Sequence, residues 1–130
     1  MRDYSPVDAV SEVLEDVPEL VFVFTTDGRH LYVNKAAAAF LGDDPMDVIG
    51  RHWRELAYPT EVMEPLQAWI EQVAETGRPV RHLHRSSKQR GSRWFDLSLT
   101  PLSSGDGGVY GVLMIAHDVT QYIERAEQQP

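Results

Sequence analysis

The chain has 130 residues, 42% of them hydrophobic, which suits one domain with one core and argues against disorder. Its net charge of -8 argues against direct nucleic-acid binding, and no apolar run approaches the ~20 residues that span a bilayer. The absence of cysteine excludes disulfides, thiolate metal sites and cysteine nucleophiles together.

The opening "MRDYSPVDAV" lacks the apolar stretch of a signal peptide, so a cytoplasmic location with no membrane insertion by this segment is the simplest expectation. In "SPVDAVSEVLEDV", Ser5 can cap a helix, Pro6 fits its first position and Asp8 suits its first turn. Val7, Val10, Leu14 and Val17 follow at helical spacing, and Pro18 is expected to end the helix.

The period then changes. "ELVFVFTTDGRHLYVN" reads as a hairpin, with Asp27-Gly28 at the turn. Asn34 is a good cap for the helix "KAAAAFL", with Gly42 as its stop. Asp44 and Pro45 start a short helix, "PMDVI", and "HWREL" reads as one further turn. A longer helix is predicted from about Thr60 to Thr76. It buries Met63, Leu66, Ile70, Val73 and Ala74 and turns Glu61, Glu64, Gln67, Glu71 and Glu75 outward. Pro65 either kinks it or marks its true start.

Three strands follow. "VRHLHRS" is the first. "RWFDLSLTPL" alternates, with Phe95, Leu97 and Leu99 on one face and Trp94, Asp96 and Ser98 on the other. "GGVYGVLMIAH" is nearly all apolar, so it should lie centrally with both faces covered. Asp118 can cap the last helix, with Gln121 in the capping-box position. The order predicts an α+β fold, a sheet with a helical block on one face. From Arg78 to Arg93 there are six basic residues and no acidic one, either a solvated hairpin or a stripe for an acidic partner.

In order and spacing, "VFTTDGRHLYVN", "AFLG", "VIGRHWREL", "GSRWFDLSLTPL" and "GVYGVLMIAHDVTQYIERAE" resemble a PAS sensor domain over roughly residues 18–127. The triplet "DVT" is the most specific of these marks. The resemblance implies a five-stranded antiparallel sheet of order 2-1-5-4-3. It divides the chain into an N-terminal capping helix at 1–18, the PAS domain at 19–118 and the start of a signalling helix at 119–130. It also implies a ligand cavity between sheet and helices. Asp118, Thr120 and Gln121 would form the relay to an effector domain in the same parent chain.

Pairing with the flavin-binding members of the family gives the inward side chains. They are Phe22 and Phe24 on strand 1; Val80, His82 and His84 on strand 3; Phe95, Leu97 and Leu99 on strand 4; and Val112, Met114 and Ala116 on strand 5. On strand 3, Val80 and Leu83 disagree in phase. Trp53, Met63, Leu66 and Ile70 complete the candidate cavity from the helical block. It suits a small, flat, partly apolar ligand, recognised by His82, His84 and the Trp53 indole N–H. The other reading is that these side chains simply fill the core.

The same pairing puts Trp53 where the flavin subgroup has its reactive cysteine and Ala116 where it has a glutamine, which argues against flavin. Haem-binding members usually ligate iron through a histidine on the long helix, and residues 60–77 contain none. His82 and His84 share a strand face, but no third metal ligand is evident, so lining or hydrogen-bonding roles are preferred.

On the outer sheet face, Leu83, Trp94, Leu113 and Ile115 would form an apolar patch. The Val7, Val10 and Leu14 stripe, a second copy of the chain, or both would cover it, so a homodimer is expected. Asp96, beside Trp94, has no evident partner and is the carboxylate whose pKa is expected to rise. The sequence has no catalytic signature. An isomerase-like enzyme would need a carboxylate inside the pocket, where the parity puts none. The function expected is therefore a sensor. The alternative is a ligand-free dimerisation or interaction module, with the isomerase a remote third.

Overall fold

The computed structural model describes residues 6–56, 58, 60–88 and 91–128, and among these it leaves out the side chains of 6, 7, 10, 60–62, 86–88, 91 and 92. Helix α1 (Pro6–Leu14) leads into the hairpin of β1 (Leu20–Thr25) and β2 (His30–Val33). Helices α2 (Lys35–Leu41) and α3 (Pro45–Val48), a 3₁₀ turn (Trp53–Glu55) and α4 (Thr60–Thr76) make the helical block. Strands β3 (Val80–Lys88), β4 (Gly91–Ser103) and β5 (Val109–Asp118) follow, then α5 (Thr120–Gln128). All strand pairs are antiparallel and the order is β2-β1-β5-β4-β3.

β5 sits in the middle, between β1 and β4. Its apolar run is explained by two clusters, one on each face. Val112, Met114 and Ala116 join the main core with α2, α3 and α4. Leu113 and Ile115 pack on the other face with Val21, Val23 and Tyr32, beneath Leu14 and Val17. Each fully buried aliphatic side chain contributes roughly 1.5–3 kcal/mol, so both faces hold the strand in place.

One punctuation point differs from the sequence expectation: α1 ends at Leu14, well before Pro18, and Ser5 lies outside the described residues. Of the two roles expected for Pro65, the helix start is excluded, because it lies inside α4 with its side chain exposed.

The hairpin turn is locked by a close approach. Gly28 has φ +99°, and a Cβ there would meet Gln67 Oε1 at 2.5 Å and the Trp53 ring at 2.8 Å. Only glycine satisfies both the backbone angle and the space.

Asn34 does more than cap α2. It is fully buried, and its Oδ1 accepts from Ala37 N at 2.9 Å, the cap, and from Val21 N at 3.1 Å. Its Nδ2 donates to Leu14 O and Glu19 O, both at 3.0 Å. One amide therefore joins the end of α1, the entry to β1 and the start of α2. Asn34→Ala removes a helix cap worth ~1 kcal/mol and strands buried backbone groups worth ~1–3 kcal/mol. The expected loss of about 2–4 kcal/mol would show as a lower urea midpoint at unchanged m-value.

Candidate functional site

The concave face of the sheet and the helical block enclose a partly open cavity with about 70 Å³ of free room and an almost wholly apolar wall. Nine of the side chains predicted to line it do so: Phe22, Phe24, Met63, Leu66, His84, Phe95, Leu97, Met114 and Ala116. Strand parity places the seven that come from the sheet, and helical spacing on α4 places Met63 and Leu66. Val80 faces Leu99, His82 faces Leu97 and His84 faces Phe95 across β3 and β4, which settles the phase of β3. Leu83 points the other way and is 55% exposed.

Trp53, Ile70, Leu99 and Val112 belong to the same core but lie away from the cavity. His82 also misses it, because its ring stacks on Trp69 at 4.0 Å. Four lining residues were missed by the strand pairing: Leu20, Phe40, Leu41 and Tyr58. Leu20 continues the parity of Phe22 and Phe24, so that signal was available. The other three come from α2 and from the segment before α4, where strand periodicity says nothing.

The polar groups divide sharply. The Trp53 indole, expected to meet a ligand, donates instead to Gln67 Oε1 at 3.0 Å. Gln67, expected outside, is half-buried and donates to Thr26 O at 3.1 Å. His30, on β2, is fully buried. Its Nδ1 lies 2.9 Å from Arg51 O and its Nε2 3.1 Å from the Tyr58 hydroxyl. By contrast, the Nε2 atoms of His84 and His82 are buried without a hydrogen-bond partner. Among the described residues, no carboxylate lines the cavity and no cluster of three metal-ligating side chains occurs.

Leu20, Phe40, Phe95 and Ala116 also line a second, more polar hollow of about 290 Å³, completed by Pro18, Glu19, His117 and Asp118. The edge-to-face pair of Phe40 and Phe95, centroids 5.6 Å apart, borders both spaces. The hollow thus lies where β5 hands over to α5.

That handover is hydrogen-bonded throughout. Asp118 Oδ1 accepts from Thr120 N at 3.0 Å and Thr120 Oγ1 at 2.6 Å. Thr120, buried, in turn accepts from Trp94 N at 2.9 Å, while Val119 N donates to Trp94 O at 2.9 Å. Trp94 on β4 therefore pins the start of α5. The expected capping box does not form: Gln121 is exposed and makes no hydrogen bond to Asp118 among the described residues, Thr120 taking its place.

The expected outer-face patch is split. Leu14, Leu113 and Ile115 lie in the cluster under α1, whereas Leu83 and Trp94 do not join it; the side chains of Val7 and Val10 lie outside those described. Asp96, expected to have a raised pKa, is held below the usual carboxylate range by its hydrogen bond to Arg81. Arg93 pairs with Asp118 at 3.4 Å and Arg85 lies over the Trp94 ring, so half of the basic stripe is engaged within the sheet.

A fully antiparallel five-stranded sheet packed against a helical block, with an internal cavity and an exit helix from the central strand, defines the class of α+β module. A sequence profile described as the PAS fold matches residues 14–124, and the chain belongs to that family. No curated protein matches the chain. Among solved structures, it is similar to the PAS domain of BvgS from Bordetella pertussis, at 16% identity and TM-score 0.78, covering 94% of this chain and 92% of that one. It is also similar to VqmA bound to DPO, at 23% identity and TM-score 0.73, covering 86% and 57%. The PAS domain of histidine kinase ThkA gives 24% and 0.61, covering 77% and 99%. The chain spans a little over half the length of the VqmA chain it matches. No helix among the described residues is long and apolar enough to cross a membrane.

Thr120→Val keeps the side-chain volume but removes the oxygen that Trp94 N donates to. The Trp94 amide should then exchange with solvent distinctly faster, and stability should fall by about 1–3 kcal/mol. Hydrogen exchange followed by NMR tests this, and an unchanged Trp94 rate would refute it.

Burial pushes both His30 and His84 below the ordinary imidazole range, with His82 adding to the effect at His84. The unfolded chain takes up those protons at about pH 6.5 while the folded chain resists them, so stability falls as the pH drops through that value. Urea midpoints should decline from about pH 7.5 to about pH 5.5, and His84→Gln should flatten part of the slope.

Proposed function

We propose that this chain is the sensory module of a larger signalling protein. Its cavity takes a small, partly apolar ligand, and α5 passes the state of the sheet to an effector domain in the same parent chain. The observation that carries this is His84 Nε2, a buried polar atom with no hydrogen-bond partner among the described residues, in an almost wholly apolar wall. Leaving such a group unsatisfied costs ~1–3 kcal/mol, which a ligand with a matching polar atom recovers. Membership of the PAS family and likeness to a VqmA structure bound to DPO support the reading.

The route from ligand to output is short. The cavity borders the hollow at Asp118, and Asp118 with Thr120 holds the start of α5. A ligand that favours one packing of Phe40 and Phe95 changes the output only by its differential affinity for two arrangements. Membership of the PAS family, whose members are in general non-enzymatic sensory modules, supports a non-enzymatic role for this chain.

One observation favours a second reading, a ligand-free dimerisation module. The free room of about 70 Å³ is small beside the roughly 150 Å³ of an engineered cavity that admits benzene. Met63 and Met114 line the space and are the flexible side chains that could repack to enlarge it.

Native mass spectrometry against the denatured mass separates the two. A bound small molecule lost on denaturation, with slower amide exchange at residues 118–123 when it is present, is the expected result. A clean unliganded mass with a homodimer by light scattering would favour the second reading.

A further inference from the structure

The hydrogen positions around Tyr58 follow from the bonds of its neighbour. The carbonyl of Arg51 can only accept, so His30 Nδ1, 2.9 Å away, carries the proton. Burial keeps His30 neutral, so Nε2 is left with a lone pair. The Tyr58 hydroxyl at 3.1 Å must then donate to it. Burial also pushes the Tyr58 hydroxyl well above the ordinary phenol range, so it has one hydrogen, and that hydrogen points at His30.

Tyr58 also lines the cavity. With its hydrogen given to His30, its oxygen has only lone pairs left for anything else. The ring stack of His30 on Tyr58, centroids 5.8 Å apart and planes within 13°, keeps the pair together. No charged side chain lines the cavity among the described residues, and the wall includes the stacked Phe22 and Phe24.

Resting on the cavity being a ligand site, the geometry points to a donor-selective pocket: it takes a neutral, single-ring aromatic molecule bearing an O–H or N–H that is given to the Tyr58 oxygen. His30 is the positioning residue, because its tautomer sets which way Tyr58 points. An acceptor at the same place on the ligand would face oxygen lone pairs and gain nothing.

Phenol, anisole and toluene test this as probes of similar size. Phenol has a donor, anisole only an acceptor and toluene neither. Binding is followed by chemical-shift titration of the 130-residue chain. Phenol should bind about ten-fold more tightly than toluene, the worth of one hydrogen bond in a dry site. Tyr58→Phe should abolish that advantage while leaving toluene affinity unchanged, which also shows that the variant keeps its cavity. If toluene binds as well as phenol, or if the phenol advantage survives in Tyr58→Phe, the donor-selective inference is overturned while the ligand site stands. If none of the three binds, the ligand site itself falls, and this inference with it.

Discussion

The two-residue period of β5 governs this molecule. The strand lies between β1 and β4, and its successive side chains are divided between two apolar clusters. A shift of one residue would exchange Val112, Met114 and Ala116 for Leu113 and Ile115 and turn the cavity wall inside out. Because β5 pairs on both edges, that assignment also dictates which faces of β1 and β4 look inward, and through β4 that of β3. The same centrality makes α5 leave from the middle of the sheet, within reach of both the cavity mouth and β4.

The helical block packs through its own apolar faces, and a few buried polar groups fix it further. Asn34 ties α2 to the entry of β1. Trp53 and Gln67 tie the 3₁₀ turn and α4 to the hairpin loop. His30 ties the segment around Arg51 and Tyr58 to β2. These groups are nearly all satisfied, as buried polar atoms must be. Against that background the bare Nε2 atoms of His82 and His84 stand apart. His82 stacks on Trp69 and His84 meets the same ring edge-on, but of the two only His84 borders the cavity.

The coupling between cavity and exit helix is one of adjacency. Phe40 and Phe95 border both the inner space and the outer hollow, and Phe95 lies beside Trp94, whose backbone bonds to Val119 and Thr120. On the proposed reading, a change in packing at Phe95 would reach the start of α5 through one residue of β4. Interfaces of this kind respond in discrete steps, because packed side chains do not deform continuously.

Much of the fold was legible in the chain itself. Apolar periods marked strands and helices, Asn34, Asp44 and Asp118 marked helix starts, and Gly28 marked the turn, because each of these signals depends only on near neighbours. Parity along β1, β3, β4 and β5 was enough to place seven cavity side chains, and helical spacing along α4 placed Met63 and Leu66. What the sequence could not decide was which partner each polar group would find. The Trp53 indole goes to Gln67, Asp96 to Arg81, Tyr58 to His30, and Thr120 rather than Gln121 completes the cap. The first three of those pairings join segments 14 to 28 positions apart and exist only in the folded chain, whereas the Thr120 cap is local. The amount of room left in the core is likewise a residue of three-dimensional packing, which no local pattern records.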